Sequence, residues 1–255
     1  MWFTKEKIVF ETESLGMPVQ VVDKMERREL RFGNHVVQSA ISKACPDYLL
    51  LSYTRHMMLG AVLCPGMKNV LHIGLGAGNL PRFLYKYFPN AHQDIIEKSP
   101  EVISIAQQYF KFPQDDQLCF HVGDGMEIMQ SLEKQYDLIF LDAFEATGSP
   151  AHLTTIEFFQ LLRNSLKPDG WLVGNVWTSN INLQDQIQIW QGAFATVFQA
   201  PVPIMGNVIL FGCNSSITFQ KKIFLKTARS LQKIIPLKFV RLLEFLEPVD
   251  PDNIL

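Results

Sequence analysis

The stretch VLHIGLGAGNLPRFL, residues 70–84, decides the fold. A short apolar run, VLHI, meets three glycines at alternate positions, Gly74, Gly76 and Gly78, and an apolar stretch at helical spacing follows. Glycines so placed let the chain turn tightly and let backbone amides approach a ligand at the positive end of the next helix. A glycine-rich strand-to-helix turn also occurs for packing alone, so its surroundings must decide between the two.

Downstream, apolar runs alternate with helical patterns: QDIIEK, PEVISIAQQYF, LCFHVGD, YDLIFLDAF, TIEFFQLLRNSL and GWLVGNVW. That alternation predicts stacked βαβ units, and the continuously apolar VLHI, DLIFL and WLVGNV suit parallel strands covered on both faces. Beyond Trp190, GAFATVF, PVPIMG and NVILFGC predict a helix end and two late strands at one sheet edge. Upstream, KIVFETES, PVQVVDKM, RELRFG and HVVQSAIS are separated by turn signals and predict a small antiparallel sheet. Between the two parts, PDYLLLSYTRHMMLGAVL (46–63) predicts one mostly buried helix closed by Pro65 and Gly66. The C-terminal QKKIFLKTARSLQKII and PLKFVRLLEFLEP are amphipathic with Lys and Arg on the polar face, which suits a core-packed helix pair or a membrane-surface or partner role. The expected fold class is α/β: a Rossmann-like, doubly wound, mostly parallel sheet with a small N-terminal antiparallel sheet. The expected units are an N-terminal sheet (1–45), a nucleoside-binding catalytic domain (46–216) and a helical tail (217–255).

In such a fold an acid about 20 residues past the glycine turn grips ribose hydroxyls. Glu97 stands 19 positions after Gly78, at the end of QDIIE; alone it would equally serve as a cap for the next helix. Asp124 in HVGDG follows the next strand, where a carboxylate can accept from an adenine amino group while Gly123 and Gly125 let the ring lie close. A plain Asp-Gly turn is the alternative. The dinucleotide fingerprint wants its third glycine three positions on, but position 79 is Asn and position 81 is Pro. A nucleoside without phosphates, S-adenosylmethionine or a relative, fits better than a pyrophosphate.

With 23 Lys and Arg against 25 Asp and Glu, net charge -2 and pI near 6.3, the chain has no overall attraction for phosphate backbones, which argues against nucleic acid as a partner. No apolar run reaches the roughly 18 residues of a membrane span, and the N-terminus alternates charge with apolar residues, so a cytoplasmic protein without a membrane span is expected. Cys45, Cys64, Cys119 and Cys213 show no metal-ligand spacing; buried free thiols and no metal are expected. Trp171 and Trp177 are expected to pack.

Taken together, NHVVQS, SYTRHMM, the glycine turn, IIEKSPEVISIAQQYF, HVGDG and YDLIFLDAF with its Pro-containing loop resemble the polyamine aminopropyltransferase (spermidine synthase) family, from about Val9 to Cys213. The resemblance implies transfer of the aminopropyl group of decarboxylated S-adenosylmethionine to a small-molecule amine, a polyamine such as putrescine. It implies nucleoside binding by Gln38, Gly74, Gly76, Gly78, Glu97, Asp124 and Gly125. Asp142 becomes the acid that orients or deprotonates the amine, with Tyr53 and Glu145 at the amine pocket. Glu11 or Glu13 would add charge there, and His152 is a weaker candidate. A homodimer is the assembly such relatives imply, pairing along the N-terminal sheet edge. Two departures stand out: Ala77 replaces an acid the family carries in the glycine turn, and Glu145 stands for the second acid of its paired-aspartate motif. They keep two other readings open, an S-adenosylmethionine-dependent methyltransferase of a small molecule and a non-catalytic nucleoside-binding relative.

Overall fold

The computed structural model describes residues 6–33, 36–144, 148, 150–178 and 183–249. Four strands, β1 (Glu6–Ser14), β2 (Met17–Lys24), β3 (Arg27–Phe32) and β4 (Val36–Ser42), form an antiparallel meander. Period-two alternation turns Val19, Val21, Leu30 and Ile41 inward, where they share one core with Leu75, Ile95 and Phe110 of the main domain. The small sheet is therefore seated directly over the glycine turn.

Residues 46–63 do not make the single helix expected from the sequence. Two short helices form, α1 (Ser52–Met57) and α2 (Gly60–Leu63). The Arg55 guanidinium donates to the carbonyls of Leu49 and Leu50 at 2.7 and 2.8 Å, holding the segment before α1 extended. The break before α2 brings Gly60 against the side chains of Val173 and Leu138, where a Cβ would lie 2.8 Å from Val173 Cγ2. Tertiary contact overrides helical periodicity here.

The main domain then runs β5 (Asn69–Ile73), α3 (Asn79–Tyr87), β6 (His92–Glu97), α4 (Pro100–Tyr109), β7 (Leu118–Val122), α5 (Gly125–Ser131), β8 (Tyr136–Leu141), α6 (Ile156–Asn164), β9 (Leu166–Trp177), α7 (Leu183–Ala193), β10 (Thr196–Val202) and β11 (Asn207–Cys213). Helices α8 (Lys221–Gln232) and α9 (Phe239–Leu242) precede a two-residue strand, β12 (Glu247–Pro248). Sheet order is β12-β10-β11-β9-β8-β5-β6-β7, with β7, β6, β5, β8 and β9 parallel and β11, β10 and β12 antiparallel. The order reverses between β5 and β8. Carboxyl ends of strands at such a switch point leave a crevice for ligands.

The C-terminal helices are core-packed: Phe224, Ala228, Ile235, Leu237 and Phe239 join the cluster that contains Trp171 and Phe198. Among the described residues no helix is long and apolar enough to cross a membrane. All four cysteines are free, but only Cys213 is buried; Cys45 and Cys119 are exposed, contrary to the expectation of buried thiols. Cys119 sits on β7, the terminal strand of the sheet, and points to solvent.

One buried cation ties the layers together. Arg82 on α3 donates to the carbonyls of Ala77, Phe110 and Pro46 and to Asn79 Oδ1 at 2.7–3.1 Å, and burial lowers its pKa to about 10. Asn79 in turn donates to Ser39 Oγ and the Ala40 carbonyl of β4. Arg82→Met leaves buried acceptors unpaired, so we expect a loss of about 2–3 kcal/mol in denaturant unfolding.

Candidate active site

The crevice above β5, β6 and β8 is a cleft of about 380 Å³, roofed by the small sheet through Ser14, Phe32 and Gln38. Its geometry depends on glycines in left-handed backbone. Gly74 has φ +94°, and a Cβ there would lie 2.5 Å from the Asp142 carbonyl oxygen. Gly78, φ +71°, opens α3, and a Cβ would lie 2.2 Å from Phe112. Gly76, φ +54°, has room for a Cβ and is selected by conformation alone.

Glu97, Asp124 and Asp142, carried at the ends of three of the parallel strands, all line this one cleft. Gln38, Tyr53, Gly74, Gly76 and Gly125 line it as well. Gly78, packed on Phe112, and Ala77, fully buried in the core beneath the turn, do not. Glu145 lies outside the described residues. Glu11 and Glu13 are corrected: both are exposed on β1 and neither lines the cleft. Strand alternation sends them outward while Phe10, on the other face, stacks on Tyr109 and Ser14 reaches the cleft.

The three carboxylates sit in different environments. Glu97 Oε2 accepts from the Leu75 amide at 3.0 Å, and Oε1 from the Ser99 amide at 2.9 Å. Burial raises its pKa, and amides of the glycine turn and of Ser99 oppose that rise. Asp124 caps α5 by accepting from the Met126 amide at 3.0 Å, and its Oδ2 meets His152 Nε2 at 2.9 Å and Lys98 Nζ at 3.4 Å. Burial raises its pKa, but the Met126 amide, His152 and Lys98 together win and hold it below the usual range. His152 is therefore at the cleft, in contact with Asp124.

Asp142 has no cation beside it among the described residues. Its Oδ1 accepts from Asn175 Nδ2 at 3.0 Å and its Oδ2 from Tyr53 Oη at 3.3 Å. Burial pushes its pKa up to about 6 in spite of these two donors. Asn175 is oriented by Asn207, whose Nδ2 donates to Asn175 Oδ1 at 2.9 Å. This relay runs from β11 through β9 to the tip of β8. Sequence reasoning missed it, although a buried Asn inside the apolar run WLVGNV was a visible signal. Asn175→Ala removes a donor to the charged form, so the Asp142 pKa should rise further. We expect the acid limb of the pH profile of kcat/KM to move to higher pH, with Asn175→Gln shifting it less.

One group of metal-ligating side chains is found among the described residues, Asp94, Cys119 and His121, away from the cleft. Asp94 there already accepts from Lys134 and His121.

The spermine/spermidine synthase domain matches residues 51–231. A polyamine aminopropyltransferase of Neisseria meningitidis serogroup A is 30% identical, over 93% of this chain and 92% of its own. Among solved structures, a spermidine synthase in complex with the transition state analogue AdoDATO has a TM-score of 0.77, covering 95% of this chain and 86% of that one at 18% identity. Human methyltransferase-like protein 13 in complex with SAH has a TM-score of 0.67 at 23% identity, covering 78% and 96%. At those identities the two structures speak for the fold alone. The domain match across most of the chain and the relative aligned nearly end to end agree with the strand-end acids around one cleft, and the chain belongs to the spermine/spermidine synthase family.

Proposed function

We propose that the chain is a polyamine aminopropyltransferase that moves the aminopropyl group of decarboxylated S-adenosylmethionine to an amine such as putrescine. The observation that carries this reading is Asp142: a recessed carboxylate, pKa raised to about 6, held between two hydrogen-bond donors with no cation to neutralise it. The N-terminal sheet (1–45) roofs a nucleoside-binding catalytic domain (46–216), with 217–255 completing it as C-terminal helices. Glu97 takes the ribose and Asp124 the adenine, over the backbone of Gly74 and Gly76 and beside Gly125 and Gln38, while Gly78 shapes the turn from behind. Tyr53 and Glu145 are the proposed amine-binding residues.

The chemistry needs a neutral nucleophile, aligned with a carbon whose leaving group is already a sulfonium. Asp142 accepts the proton of the bound ammonium. The freed nitrogen lone pair forms the new N–C bond as the C–S⁺ bond breaks, and its electron pair leaves with sulfur as a neutral thioether, methylthioadenosine. Holding both reactants in one cleft supplies much of the rate. No step calls for a metal. A cytoplasmic homodimer, paired along a free edge of the N-terminal sheet, completes the reading.

The test compares donors. Decarboxylated S-adenosylmethionine at 100 times its Kd should stabilise the protein by about 2.7 kcal/mol, and putrescine should then yield spermidine and methylthioadenosine. Stabilisation by the carboxylate-bearing donor alone, with methylated product, would replace this reading by methyl transfer.

A further inference from the structure

Seven of the 23 Lys and Arg residues fall between Lys221 and Arg241, a span with no Asp or Glu; the other 16 share the rest of the chain with all 25 acids. The near-zero net charge hides a segregated molecule. All seven, Lys221, Lys222, Lys226, Arg229, Lys233, Lys238 and Arg241, are exposed. None makes an ion pair with any described residue, although thirteen such pairs form among the other described residues.

Their placement runs against local electrostatics. Helix α8 opens on Lys221 and Lys222, has no acid in its first turn and no side-chain cap, although a helix N-terminus favours negative charge. Phe224 and Ala228 on the opposite side are buried in the core, so the helix is docked and its outer face is fixed in direction. On that face Lys222, Lys226 and Arg229, continued by Lys233 at the helical C-cap, follow helical spacing over about 16 Å at 1.5 Å per residue. Ile223 on α8 and Ile234 in the turn that follows the helix stand next to the two ends of the row and are 59% and 74% exposed.

We propose that the outer face of α8 is a docking surface for an anionic phospholipid membrane. The row offers cations to a planar array of negative headgroups, and the two exposed isoleucines at its ends offer apolar side chains to the headgroup–acyl boundary. A nucleic acid would use the cations equally but would leave both isoleucines in water, which is why the lipid surface is favoured. The acidic remainder of the chain is repelled by the same surface and orients the molecule with α8 downward. The cleft is formed by other elements and needs none of these residues, so attachment is peripheral and leaves the transfer chemistry alone.

Co-sedimentation with sucrose-loaded vesicles tests this. The full chain should pellet with phosphatidylcholine/phosphatidylserine vesicles at low salt, stay in solution with phosphatidylcholine alone, and be released by high salt. Lys222→Glu/Lys226→Glu/Arg229→Glu/Lys233→Glu should lower partitioning by at least about 100-fold with an unchanged melting temperature and solution activity. Ile223→Ser/Ile234→Ser should weaken it at constant charge; it also carries the test should the quadruple variant unfold. The proposal is overturned if the unaltered protein ignores acidic vesicles, if charge reversal leaves partitioning intact, or if the isoleucine variant binds acidic vesicles as well as the parent. It is equally overturned if polyuridylate is bound through these cations while vesicles are not.

Discussion

Replacing Asp142 with asparagine is expected to lower aminopropyl transfer by about 10²–10⁴-fold, the range for loss of a general base, while nucleoside binding persists. The side chain keeps its shape, so Asn175 can still donate to the carbonyl oxygen at position 142, but nothing remains to take the ammonium proton. As the proposed base, Asp142 acts only when ionised, so kcat/KM should rise with pH through about 6. The same substitution should affect stability in the opposite sense. The Asp142 pKa is raised from 3.8 to about 6 on folding, chiefly by burial, so the folded state holds a proton that the unfolded state has lost between those values. Stability contributed by that proton is present below pH 3.8 and lost as pH climbs to about 6, up to about 3 kcal/mol. Asp142→Asn removes the charge and should raise stability above pH 6, more than it does at pH 4. Denaturant melts at the two pH values, beside initial rates, check both halves. An equal rate for the variant would remove Asp142 from the mechanism.

Gly74→Ala is expected to damage fold and activity together. At φ +94° an alanine is strained by about 1–3 kcal/mol. Its Cβ would also meet backbone atoms, with the Asp142 carbonyl oxygen at 2.5 Å, its carbon at 2.9 Å and Ala143 Cα at 3.0 Å. Backbone cannot rotate away as a side-chain end can, so the tip of β8 must shift, and Asp142 with it. Misplacement by an ångström can cost about 10² in rate, and overpacking adds about 1–3 kcal/mol. We expect destabilisation near 3 kcal/mol and at least a 100-fold lower kcat. Gly76→Ala is the comparison, because the space there is open and only the conformation is strained; it should lose stability with a smaller loss of rate.

Much of this site was readable from local pattern. The glycine turn sits between a five-residue strand and a helix as the run at 70–84 predicts, and Glu97 and Asp124 stand at the ends of the next two strands. Apolar runs mark strands because burial on both faces demands them, and glycines mark a left-handed turn because side chains forbid it, so these features are written at the positions where they act. Less legible were residues whose work depends on what folds against them. Asn79 was informative only in not being glycine; in the structure it joins Arg82 to β4. The break at residues 58–59 of the expected long helix was hidden because Gly60 meets Val173 more than a hundred residues away.

The sequence by itself determined the βαβ alternation, the strand-end acids and the family, all carried by residues near one another in the chain. Tertiary structure alone decided that Asn207, Asn175, Asp142 and Tyr53 form one hydrogen-bonded line, because that line exists only once β8 pairs with β9 and β9 with β11. It also decided which glutamates leave the cleft, since a strand sends alternate side chains to opposite faces and only packing says which face is inward.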